Sequence, residues 1–83
     1  MAVAFDRDAI RTSLALSNPA MSSYLDLETG TVVVVNEEDT SAENATLRDQ
    51  VMDGYGDRFR YIPGGNAAAD DAAVADWLGT EGL

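Results

Sequence analysis

Carboxylates and guanidinium groups are the only charged side chains this sequence offers. It carries 15 Asp and Glu against five Arg, with no Lys, His or Cys, for a formal charge of −10. Without His or Cys there is no Ser-His triad, thiol nucleophile or thiolate- and imidazole-held zinc. Without Lys there is no Schiff-base amine and no phosphate-loop lysine. What remains is carboxylate acid–base chemistry or a hard cation such as Mg²⁺ or Ca²⁺ held by oxygens. An enzyme of that kind would use Asp26 with Asp53 or Asp57.

Each acidic group also has a structural role to fill. Asp53-Gly54-Tyr55-Gly56-Asp57 lacks the D-x-[DN]-x-[DN]-G spacing of a calcium loop and reads as a turn. Glu37-Glu38-Asp39 and Asp70-Asp71 lie at expected helix starts, where acids stabilise the positive end of the dipole. No catalytic residue, cofactor site or metal site is assigned. Arg58 and Arg60 alternate onto one face of an expected strand, as Asp26 and Glu28 do on another. If those strands are neighbours, the four form a cross-strand charge ladder worth roughly 0.2–1 kcal/mol per exposed pair. A second use of the two arginines is to receive a partner's carboxylates or a phosphate.

The charge sets limits on partners. A field this negative repels phosphate backbones and anionic membranes, so direct binding to either is not expected. It leaves open mimicry of nucleic acid, with carboxylates occupying a basic groove. The first residues, Met1 to Asp6, have an acid at position 6 and no long apolar run. They do not read as a secretory signal or membrane anchor, and with the absence of cysteine they fit a cytoplasmic protein.

The 83 residues make a single small domain, 1–83, with a thin core. Residues 6–16 read as a helix capped by Asp6, with Ile10 and Leu14 on one face and Phe5 as a hydrophobic staple. Ser17-Asn18-Pro19 ends it. A β-hairpin follows, with strands at about 23–28 and 31–36 and a turn at Thr29-Gly30. Either a two-residue loop pairs Leu27 with Val32, or a type I turn with a Gly30 bulge pairs Leu27 with Thr31. Thr40-Ser41-Ala42-Glu43 spells a capping box for a second helix, with Leu47 and Val51 as its apolar stripe. A third strand spans Arg58 to Ile62 and ends at Pro63. A third helix, about 67–78, starts at Asn66 and carries Ala73, Val74, Trp77 and Leu78. The expected fold is α+β: a small, mainly antiparallel sheet of three strands in the order α-β-β-α-β-α, with helices packed on it.

Val32, Val33, Val34 and Val35 are consecutive. An alternating strand buries one face, whereas this run is apolar on both. Burying one valine fully is worth roughly 1.5–3 kcal/mol, so the second face calls for a cover. The chain's own helices or a second copy could supply it. Trp77 is large enough either to fill the core or to anchor an interface.

Tyr24-Leu25-Asp26, then Thr29-Gly30 and a Val-rich strand, with Arg60-Tyr61-Ile62-Pro63 later, resemble motifs of a bacterial group, the uncharacterised protein family zero-one-five-eight. Its members look like Tyr-Leu-Asp-x-x-Thr-Gly-Glu-Val followed by a strand ending in Tyr-Ile-Pro. The resemblance covers roughly residues 6–63. Thr31 stands where the group has an acid, and members continue through a longer helical region, which Asp76-Trp77-Leu78 and Gly82 resemble faintly. The resemblance implies no established activity. It marks Tyr24, Asp26, Thr29, Gly30, Arg60, Tyr61 and Pro63 as positions to test.

The first-ranked reading is a non-enzymatic protein–protein interaction or regulatory module. It is expected to form a homodimer by packing or extending the Val32–Val35 region, with Trp77 as a further candidate contact. An acidic nucleic-acid mimic comes second, and a small carboxylate- or metal-dependent enzyme third.

Overall fold

The structure, a computed structural model, describes residues 4–83. Helix α1 (Arg7–Ala15) leads into strand β1 (Met21–Asp26) and strand β2 (Val32–Asn36). Helix α2 (Ala42–Asp53), strand β3 (Phe59–Ile62) and helix α3 (Asp71–Thr80) follow. The α+β order is the expected one. The sheet is antiparallel throughout, with β1 between β2 and β3.

Alternation along the strands splits the core in two. Leu25, Ile62 and Val32 face α1 and α3, where Ile10, Leu14, Val74, Trp77 and Leu78 complete one cluster. Tyr24, Val35, Phe59 and Val33 face the other way, against Val51 and Leu47 of α2. Helices therefore lie on both faces of the sheet, and the valine run is apolar on both sides because both sides are lined. The cover comes from within the chain. At the sheet margin it is incomplete, and Val34 is 38% exposed.

Several local boundaries differ from expectation. The hairpin adopts neither expected register: Leu25 pairs with Val32, which places Asp26 opposite Thr31 and leaves Leu27 to Gly30 as a four-residue loop. The Asp26 N–H donates to the Thr31 carbonyl at 2.8 Å, and the Gly30 N–H returns to the Asp26 carbonyl at 2.8 Å. Gly30 has φ 78°, a left-handed conformation that glycine adopts without a Cβ penalty. The N-cap of α2 is Ser41, whose hydroxyl accepts from the Asn44 N–H, so the Thr40 capping box does not form. The third helix starts at Asp70 rather than Asn66: the Asp70 carboxylate accepts from Ala73, while Asn66 closes a turn onto Ala68 and Ala69. Gly79 lies inside α3, which runs on to Thr80.

Two connections hold the layers in place. The Gly65 and Asn66 N–H groups donate to the carbonyls of Leu16 and Leu14, satisfying the orphan acceptors at the end of α1. Phe5 packs on the cluster containing Ile10, as the staple required, and the Asp6 N–H donates to the Gly30 carbonyl.

Candidate functional site

The acid that could have served chemistry is spent on structure. Asp26, at the end of β1, is 4% exposed. Its Oδ1 accepts from the Glu28 N–H at 2.9 Å and from Arg58 Nε at 3.0 Å, and its Oδ2 accepts from an Arg58 terminal nitrogen at 2.9 Å. This two-point guanidinium contact is the main reason the Asp26 carboxyl is held down at about 2, against the opposing pull of burial. A carboxylate so far below neutrality is a poor general acid or base near pH 7. Asp53 and Asp57 are exposed and are not bonded to Asp26. Among the described residues no three acids gather as metal ligands.

The two arginines part company. Arg58 sits in the turn before β3, outside the strand's alternation, and bridges Asp26 and Glu28 while its guanidinium lies 5.0 Å from the Phe59 ring centre. Arg60 points to the α1/α3 face and donates to the Glu81 carbonyl at 3.1 Å, at the end of α3. The expected ladder is thus made by Arg58 alone, and Arg60 caps a helix C-terminus instead.

The acids are spread over all three helices and the loops, on both faces of the sheet. Many are engaged: Asp6 and Asp70 as N-caps, Asp39 on the Ser41 N–H, Asp8 and Asp71 on Arg11, Glu37 near Arg48.

The remaining candidates are spread over the sheet, the hairpin loop and α3. Val35 is fully buried and Val32 and Val33 are half-buried, so of the four valines Val34 is the one that reaches the surface. Trp77 is 8% exposed and belongs to the core, which leaves it little surface to offer as an interface anchor. Tyr24 is buried at the sheet centre, with the Tyr61 ring 5.7 Å away and the Tyr55 ring 6.2 Å away, both edge-on. Burial is the main cause that raises the Tyr24 phenol. Thr29 and Thr31 share a hydroxyl hydrogen bond of 2.7 Å across the hairpin loop, and Pro63 is exposed just past β3.

Backbone alternation shows which edge groups are free. The bonds from Asp26 to Thr31 and from Glu37 to Ala20 turn the odd-numbered residues of β2 towards β1. Val32, Val34 and Asn36 then turn their N–H and C=O outward. Asn36 is covered: its N–H donates to the Asn44 side-chain oxygen at 3.1 Å, and its carbonyl accepts from the Asn44 side-chain nitrogen at 2.8 Å. The Asn44 amide occupies the place of a neighbouring strand's peptide. Val32 and Val34 have no such partner among the described residues. The stretch Thr31 to Asn36 has no charge, no proline and no bulge, the usual devices that blunt an edge. Sequence alone did not mark this strand as an edge, because an uncharged valine run suits a central strand equally, and Asn44 gave no signal because its bond to Asn36 spans eight residues.

Compared with protein families, curated proteins and solved structures, the chain gives no match. No described helix is long and apolar enough to cross a membrane.

Proposed function

We propose that this chain is a non-enzymatic interaction module that self-associates by pairing the β2 edges of two copies. The observation that carries this reading is the uncharged outer edge of β2, with Val32 and Val34 turning unpaired backbone groups outward and Val34 exposed. In an antiparallel two-fold arrangement, Val32 of each copy faces Val34 of the other across Val33. That adds about four hydrogen bonds and joins the sheets into one. The internal cover of both faces supports edge extension over face-to-face packing. The Tyr-Leu-Asp and Thr-Gly residues behind the family resemblance build this hairpin, so the resemblance would be one of architecture.

Light scattering over a concentration series tests it. The parent chain is expected to approach twice the monomer mass, and Val34→Lys to stay at one. Val34→Lys places a charge on the open edge without touching either core cluster, so its unfolding transition should match the parent's within about 0.5 kcal/mol. Val33→Glu serves as contrast, because it puts a charge against α2 and should destabilise the fold itself. A parent chain that remains monomeric at millimolar concentration rules the reading out.

A further inference from the structure

The opposite edge of the sheet has a different character. A groove of about 570 Å³ runs along the outer side of β3, between the Tyr55–Gly56 turn and the end of α3. A second hollow of about 300 Å³ shares Tyr61 with it and continues towards Gly64 and Gly65. The Leu27 N–H donates to the Arg58 carbonyl, so alternation turns the backbone groups of Phe59 and Tyr61 outward. Those of Phe59 are taken by the adjoining turn: its N–H donates to the Gly54 carbonyl, and its carbonyl accepts from Gly56. Those of Tyr61 have no partner among the described residues. The rings of Tyr55 and Tyr61, 55% and 44% exposed, flank the groove.

We propose that this groove docks an extended, basic segment of a protein partner, which adds to the β3 edge at Tyr61. The shape is a trough beside a strand with a free donor and acceptor, the requirement for strand addition. Charge selects the occupant. Glu81 lines the groove and Asp57 follows directly on Gly56. Arg60, the only cation lining it, donates through one terminal nitrogen to the Glu81 carbonyl at the negative end of the α3 dipole, while its buried Nε has no partner among the described residues. A lysine or arginine of the segment lays its aliphatic stem and cationic head on the tyrosine rings. The chain as a whole, at −10, steers such a segment in.

The test uses isotope-labelled protein and a short synthetic peptide alternating lysine and threonine, with a glutamate–threonine peptide of equal length as contrast. Adding the lysine peptide should shift the amide resonances of Tyr61 and Gly56 and the Trp77 indole, and slow hydrogen exchange at the Tyr61 amide. Tyr55→Ala removes an exposed ring and should weaken binding about two- to fivefold, with the folded spectrum kept. Shifts gathered on Val32 and Val34, equal binding of the glutamate peptide, or no binding of either at millimolar concentration would overturn the proposal. So would concentration-dependent shifts at Tyr61 without peptide, which would make a second copy the occupant.

Discussion

At the scale of single residues, the pair Asp26–Arg58 does the most. It joins β1 to the turn before β3 across 32 positions of sequence, and the same Asp26 caps the hairpin loop through the Glu28 N–H. Its carboxyl is lowered from 3.8 to about 2 in the folded chain. A group depressed in this way stabilises the fold above its unfolded value, and that stability is lost as pH falls from about 4 through about 2. The linkage is on the order of 2 kcal/mol. Asp26→Asn should therefore lower stability near neutral pH by about that amount and flatten the acid limb of the stability profile, read by denaturant titration from pH 7 to pH 2 (Glu28→Gln, at an exposed partner, should change little). An acid limb of unchanged steepness in Asp26→Asn would contradict this. The sequence pointed to charge pairing of Arg58 with Asp26 and Glu28, but it gave Arg60 the same role and did not place Arg58 on the Asp26 side. Alternation placed Arg58 beside Arg60, but Arg58 lies one residue before the strand begins and so escapes its period.

At the scale of elements, the order and kind of every helix and strand could be read from periodicity and turn chemistry. Asp6 was legible as the cap of α1, but the starts of α2 and α3 were not. Thr40 and Ser41 are adjacent hydroxyls, and Asn66 and Asp70 are both good caps, so local preference does not choose between them. Packing does: α3 begins where Val74, Trp77 and Leu78 reach the α1 side of the sheet. The hairpin register differs because the loop closes on Asp26: its carbonyl accepts from the Gly30 N–H and its side chain from the Glu28 N–H, so Leu27 already belongs to the loop. The connection after β3 is the tightest of these joints. A Cβ on Gly64 would run into the Leu16 carbonyl oxygen, which is backbone and cannot swing aside. Gly64→Ala should then push the Gly65 and Asn66 donors off the end of α1 and cost about 2 kcal/mol in thermal or chemical unfolding. Gly79→Ala, where the added Cβ meets nothing within 4 Å, should be neutral or mildly stabilising.

At the scale of the whole molecule, one sheet presents two dissimilar edges in a strongly negative field. Pairing two β2 edges brings together two subunits of −10 each, so their mutual repulsion opposes assembly. Raising NaCl from roughly 20 mM to roughly 200 mM should shift self-association to lower protein concentration, because the Debye length shrinks below the spacing of the exposed charges. Docking of a basic segment on β3 should weaken over the same range. Sedimentation and peptide titration at matched salt would separate the two edges, and association that weakens with salt would contradict pairing at β2. The amino-acid sequence by itself determined the α-β-β-α-β-α order, the absence of thiol, imidazole and amine chemistry, and a strand apolar on both faces. These follow from local periodicity and composition. Only the tertiary structure decided that the helices lie on opposite faces and cover the valines, that Trp77 is core, and that Asn44 closes the β2 edge at Asn36 while Val32 and Val34 stay open. Those outcomes depend on residues far apart in sequence meeting across layers, and no local pattern encodes which strand ends at the margin.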